Sequence, residues 1–240
     1  MVETINIEEI KQKLIDKLEP SGWTTKLRGF IKSSDFEKII QTLYDQRQQG
    51  KRFTPPLKTV FTAFEKCPVK DLRVVLIGQD PYPYINVADG MAFSCSLTDK
   101  PQTSLKFIQH AITQTVYDND ETKEHNPDLS RWAEQGVLLL NSALTCEIDK
   151  IGSHYPIWKD FVAYLMDMLN FTDSGLVFIL LGKQAQELES LIGQNHYILK
   201  ASHPASAAHN GTNMWDCNDV FNESNRIIEK NVGKEFIINW

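Results

Sequence analysis

The chain has 240 residues, 42% of them hydrophobic and 23% charged, with a formal net charge of −6. That length suits one sizeable α/β domain, and the apolar content is enough for an ordinary globular core. The acidic balance argues against a protein that coats polyanions over its whole surface, but it leaves room for a local basic or amide-lined groove that takes nucleic acid.

The four cysteines, Cys67, Cys95, Cys146 and Cys217, lie far apart with no C-x-x-C pair. This spacing speaks against a zinc or iron–sulfur site and fits a reducing cytoplasm. The opening segment has no secretory-signal pattern and reads as an amphipathic helix. Asn6 can cap it with Glu9 three residues on, and Ile7, Ile10, Leu14 and Leu18 share one face. Ser34 with Glu37 predicts a second helix start, ahead of Phe36, Ile39, Ile40 and Leu43. Thr-Pro-Pro at 54–56 predicts a third, with Val60, Phe61 and Phe64 behind it. Residues 1–50 are thus expected to form an N-terminal helical segment of a single domain spanning 1–240.

Four short apolar runs come next, at 73–77, 137–140, 176–181 and 197–200. Each is unbroken and not alternating, which predicts strands buried on both faces of a parallel sheet. The longest is far too short to span a bilayer. Helical patterns at 104–116, 158–169 and 183–192 separate them, so the expected fold is α/β, a four-stranded parallel sheet flanked by helices on both faces.

The segments just past the strand ends carry the functional information. The first run leads into Gly78-Gln79-Asp80-Pro81-Tyr82, the second into Asn141, the third into Gly182-Lys183, and the fourth into Ala-Ser-His-Pro-Ala-Ser with His203. Ligands in open α/β sheets bind beyond the carboxyl ends of the strands, and an Asp, an Asn and a His all leave from that edge. Taken singly, each has an ordinary explanation. Asp before Pro opens turns, Asn finishes strands, and Tyr82 and Phe93 could be core rings. Their common edge argues for a site. Of the other histidines only His154, in Gly-Ser-His-Tyr-Pro-Ile-Trp, draws attention.

Four segments, GQDPYP (78–83), GMAFS (90–94), WAEQGVLLLNSALT (132–145) and SHPAS (202–206), occur in one order. Together they resemble the uracil-DNA glycosylases of the main, uracil-excising family, over about residues 50–230. The resemblance implies hydrolysis of the N-glycosidic bond between uracil and deoxyribose in DNA, the opening step of base excision repair, with no metal and no cofactor. By resemblance Asp80 positions water and offsets positive charge on the sugar, and a neutral His203 donates to uracil O2. Asn141 reads N3–H and O4, Phe93 stacks on the base, Tyr82 fills the space of the thymine methyl, and the Gln79 N–H helps hold O2. The base reaches such a pocket only by flipping out of the helix.

The chain also departs from the family. Pro83 stands where a histidine usually follows the tyrosine, and YINVAD (84–89) replaces a glycine-proline run. Among DNA-contacting positions, Pro81 sits at the pocket mouth and Ser104 matches a serine of a Pro-rich loop. Lys183 occupies the serine place of a Gly-Ser pair, and it reads equally as a solvated helix start. Ala205 and Ala208 replace two serines, Ser206 stands where proline is common, and Ala207 replaces the leucine that wedges into the duplex. With only a methyl there, the expectation is weaker capture of uracil in duplex DNA and a preference for single strands, unless His209 or Asn210 supplies the wedge.

The implied partners are uracil-containing DNA, single- or double-stranded, and a DNA-mimicking protein inhibitor; no membrane is involved, and the chain is expected to act as a monomer. A weakly or non-catalytic DNA-binding module serving replication proteins is the alternative, although such a module has no need of a water-orienting Asp80. A nucleotide enzyme is disfavoured, because LLGKQAQ lacks the G-x-x-x-x-G-K-[ST] spacing.

Overall fold

The structure is a computed structural model and describes residues 5–123, 125–172, 175–209, 211 and 214–240, without the His209 side chain. Asn6 caps α1 (Ile7–Leu18), its side chain accepting from the Glu9 N–H at 3.1 Å. After α2 (Thr24–Ile31) comes α3 (Ser34–Gln48), capped one residue earlier than expected. Ser33, whose backbone is extended, accepts from the Phe36 N–H at 3.3 Å. The apolar faces of these helices close on a cluster of rings. Phe161, on α7 (Tyr155–Asn170), meets Phe30, Phe61, Phe64 and Trp158 edge-on with centroids 5.4 to 5.9 Å apart.

Thr-Pro-Pro does not start a helix. Thr54 belongs to β1 (Phe53–Thr54), whose backbone pairs antiparallel with β4 (Cys146–Glu147). The chain then makes a 3-10 turn at Leu57–Thr59 before α4 (Thr62–Lys66). A two-residue strand is too short for any alternation to show in the sequence.

The main sheet contains β2 (Val74–Gly78), β3 (Val137–Asn141), β5 (Val177–Leu181) and β6 (Tyr197–Ala201), all parallel, in the order β3-β2-β5-β6. Every residue of β2, β3 and β5 is buried, as unbroken apolar runs require. The fourth run is different. β6 is an open edge, with Tyr197 40% exposed and only Ala201 buried.

Helix α10 (Val220–Asn231) packs on β5, β6 and α5 (Thr103–Thr115), while α4 and α6 (Ser130–Glu134) pack on β3. The helical pattern at 183–192 resolves into a single turn, α8 (Lys183–Gln186), and a 3-10 segment, Glu187–Leu191. One more short helix, α9 (Ser206–His209), comes after the fourth strand. No helix among the described residues is long and apolar enough to cross a membrane.

This register delivers the site. Gly78 ends β2 directly opposite Asn141 at the end of β3, and β5 and β6 finish beside them at Leu181 and Ala201. The loops that carry Asp80, Lys183 and His203 therefore leave from one edge.

Candidate active site

Asp80 lies two residues past β2 and is held through one oxygen. Its Oδ2 accepts from the Tyr155 hydroxyl at 2.8 Å and from the Gly152 N–H at 3.0 Å. Its Oδ1 is buried and has no protein partner among the described residues, so one oxygen fixes the group and the other is left for water or substrate. Burial pushes the carboxyl up to about 6, against the lowering effect of those two hydrogen bonds. The same burial and the neighbouring carboxylate push the Tyr155 phenol up, which keeps it a donor.

Tyr155 and Gly152 are site residues that the sequence does not single out. Tyr155 opens α7 and Gly152 lies in the turn just before it, 75 and 72 positions from Asp80. Only the histidine between them, His154, marks that stretch in the sequence, and His154 itself is a core residue. It is fully buried, packs edge-on against Phe53, and shares a hydrogen bond between its Nδ1 and the Thr145 hydroxyl at 2.7 Å. Trp158 Nε1 donates to the same hydroxyl oxygen. Burial holds that imidazole down to about 4, and it stays neutral.

The return of the chain to Phe93 depends on a second acid, Asp89. Its buried carboxylate accepts from Ser94 Oγ at 2.6 Å and from the Met91 and Ser96 N–H groups at 3.1 and 2.9 Å. These bonds wind the loop tightly enough to place Phe93 at φ 64°, in the left-handed region. Tyr82 secures it by donating its hydroxyl to the Phe93 carbonyl at 3.1 Å, and the Ala92 N–H bonds to Leu139 of β3. The Phe93 ring then stands 6.2 Å from the His203 ring.

A glycine is needed at 78 for space, not for its backbone angles. A Cβ there would come within 3.0 Å of both Asn141 Oδ1 and the edge of the Phe93 ring. His203 enters in a similar way. Gly182, at φ 93°, lets the histidine loop close, since a Cβ there would sit 2.9 Å from that of His203. His203 Nδ1 accepts from the Ala205 N–H at 3.2 Å, so in the neutral ring the proton sits on Nε2.

Together these elements wall a cavity of about 520 Å³, lined by Gln79, Asp80, Tyr82, Phe93, Ser104 and His203, with Pro81 at its side. Ser104 lies in the first turn of α5, and Gln102 and Thr103 beside it also line the cavity. Asn141 does not line this cavity. It borders it across Gly78, 6% exposed, beside the Phe93 ring edge. Lys183 and Ser206 line a neighbouring recess of about 720 Å³ that shares Gln79 and His203 with the first.

Ala207 departs from its expected place. The sequence puts it facing the duplex, but it is 4% exposed and packs into the core. The single turn of α9 points its methyl inward, and Ala208 lines the cavity instead. A leucine at 207 would meet packed side chains before it met DNA. Asn210 lies outside the described residues. No group of three or more metal-ligating side chains occurs among the described residues.

A profile of the uracil DNA glycosylase superfamily matches residues 64–226. The uracil-DNA glycosylase of Campylobacter jejuni (serotype O:23/36) is 36% identical over 99% of this chain and 97% of its own length. That of Acinetobacter baylyi is 35% identical over 93% of each. In three dimensions, a mimivirus UNG variant solved in complex with UGI superimposes with a TM-score of 0.80, covering 98% of this chain and 91% of that one at 24% identity. The sheet order, the four motif segments and these relatives agree: the chain belongs to the uracil-DNA glycosylase superfamily.

Proposed function

We propose that this protein is a uracil-DNA glycosylase that hydrolyses the bond between uracil and deoxyribose and leaves an abasic site. The observation that carries this reading is Asp80, a carboxylate anchored through one oxygen beside a cavity walled by an aromatic ring and a histidine. Breaking the N-glycosidic bond puts positive charge on the sugar and negative charge on the base. The ionised Asp80 offsets the first and orients water toward the anomeric carbon. The Nε2–H of neutral His203 donates to uracil O2 as negative charge grows there, with the Gln79 N–H as a second donor.

Base choice is assigned to the rear and side of the cavity. Asn141 accepts from N3–H and donates to O4, a pattern that cytosine reverses. Phe93 stacks on the flipped base, and Tyr82, pinned by its own hydroxyl, fills the space a thymine methyl would need. Ser104, Lys183 and Ser206 contact strand phosphates around the mouth, with Pro81 shaping its rim. The same reading has the protein act as a monomer, and the four buried, unpaired thiols support work in the cytoplasm. An acidic protein that mimics DNA would compete for the same mouth; the mimivirus relative is solved with UGI bound.

The direct test is release of free uracil from uracil-containing oligonucleotides, single-stranded and duplex, with EDTA present. Release is expected on both. No release from either would leave a DNA-binding module, and activity lost in EDTA but restored by zinc would overturn the cofactor-free chemistry.

The pH profile tests how Asp80 is held. The carboxylate is the working form, so kcat/KM on a single-stranded substrate should fall as pH drops through about 6. Tyr155→Phe removes a hydrogen bond that lowers this pKa. A bond to a charged group is worth ~1.5 kcal/mol, so the acid limb should move to higher pH by roughly one unit. An unmoved limb would mean that Tyr155 does not position the working carboxylate.

A further inference from the structure

The loop 83–86 carries one of the chain's departures from the family pattern, and it lies between two cavities. Pro83 and Tyr84 line the catalytic cavity. Ile85 and Asn86 line a second recess of about 340 Å³ on the other side, together with Arg47, Lys51 and Arg52. From these features, and resting on the glycosylase reading above, we infer that the loop is a strand-binding ridge. Tyr84 stacks on a base next to the flipped nucleotide, and the basic recess behind it takes the phosphates of the same DNA strand.

Exposed apolar bulk supports the first half. Tyr84 and Ile85 are 52% and 51% exposed, and Ile151, which also lines the catalytic cavity, is 63% exposed. Single exposed apolar residues need no explanation, but Tyr84 and Ile151 line one opening, with Ile85 next to Tyr84 in the chain, and such a grouping is costly to leave in water. A nucleobase has the flat apolar face that such a patch accepts, and an aromatic ring takes any base. The 206–209 loop offers no comparable side chain at Ala207, because that methyl is turned into the core.

The charges support the second half and select DNA over an apolar protein partner. In a chain of net charge −6, three exposed cations line one small recess. Lys51 is partly answered by Glu147 at 3.6 Å. Arg47 and Arg52 have no ion-pair partner among the described residues. A polyanion that already enters the adjoining cavity is the occupant this arrangement fits.

The test uses a single-stranded oligonucleotide with a central tetrahydrofuran abasic site, bound at graded KCl concentrations and read by fluorescence anisotropy. The Arg47→Ala/Arg52→Ala double variant should flatten the plot of log Kd against log salt by roughly 0.7 per cation removed. Tyr84→Ala should weaken binding ~10-fold with the salt slope kept, the effect of losing one stacked base. Tyr84→Phe and the Arg47→Lys/Arg52→Lys pair should restore wild-type values, which separates these roles from damage to the fold. An unchanged slope in the double alanine variant, or unchanged affinity in Tyr84→Ala, overturns the inference. Wild-type protein is assayed in parallel for uracil release; failure there would sink the glycosylase reading instead.

Discussion

Asp80→Asn is expected to slow uracil release by at least ~10²–10³-fold, the scale on which a single positioned electrostatic group acts in a dry site. The geometry makes this substitution clean. The asparagine carbonyl can still accept from Tyr155 and Gly152, so the loop keeps its shape and substrate binding should be nearly intact. What disappears is the negative charge facing the sugar. Single-turnover excision alongside binding of an uncleavable analogue separates the two effects, and wild-type turnover would refute the assignment.

The same variant should be more stable. Folding raises the Asp80 pKa from an ordinary 3.8 to about 6. Between those values the folded state binds more protons than the unfolded one, so this group's contribution to stability falls as pH rises through about 4 to 6 and stays lower above. The full shift converts to ~3 kcal/mol at 1.36 kcal/mol per unit. Because the group is partly exposed, screening brings this to the order of 1–2 kcal/mol, or a Tm roughly 2–6 °C higher for Asp80→Asn at neutral pH. Thermal melts at pH 4 and 8 check the sign: the gain should appear only at the higher pH.

His203→Ala should cost ~10²–10³-fold in kcat, as loss of one donor to a developing anion does. The Ala205 N–H on Nδ1 sets the tautomer, so the neutral ring carries its proton on Nε2, the donor assigned above to uracil O2. Binding of the ground-state base depends less on that donor than the departing anion does, so KM should change little. Steady-state kinetics on a single-stranded substrate decide it, and a loss confined to KM would make His203 a binding residue only.

How far the sequence discloses these features depends on the range of the interaction. β2, β3 and β5 are legible because burial on both faces leaves an unbroken apolar run. β6 is legible as a strand but not as an exposed edge, since Tyr197, Ile198 and Leu199 look the same in either setting. The strand ends place Asp80, Asn141 and His203 on one edge from their order alone. Tyr155 is not legible, because its bond to Asp80 closes across 75 residues and no local pattern encodes it. Asp89 is hidden for the opposite reason: its partners are all near neighbours, and an acid in a polar loop looks like solvent-facing charge. Ala207 is misplaced by the sequence because its direction turns on a four-residue helix, where a shift of one position moves a side chain about 100° around the axis.

Phe93 is a bulky residue at φ 64°, a conformation that costs of the order of 1–3 kcal/mol. Asp89 and Tyr82 hold it there through bonds within the protein itself, so the cost is met when the protein folds. If Phe93 stacks on the extruded base as proposed, that base meets a ring already held in place, and little of the stacking energy is diverted into ordering it. The barrier to engagement then lies in the DNA, in breaking the stack around the uracil. On that reading, search along a strand becomes a matter of how often the nucleic acid opens.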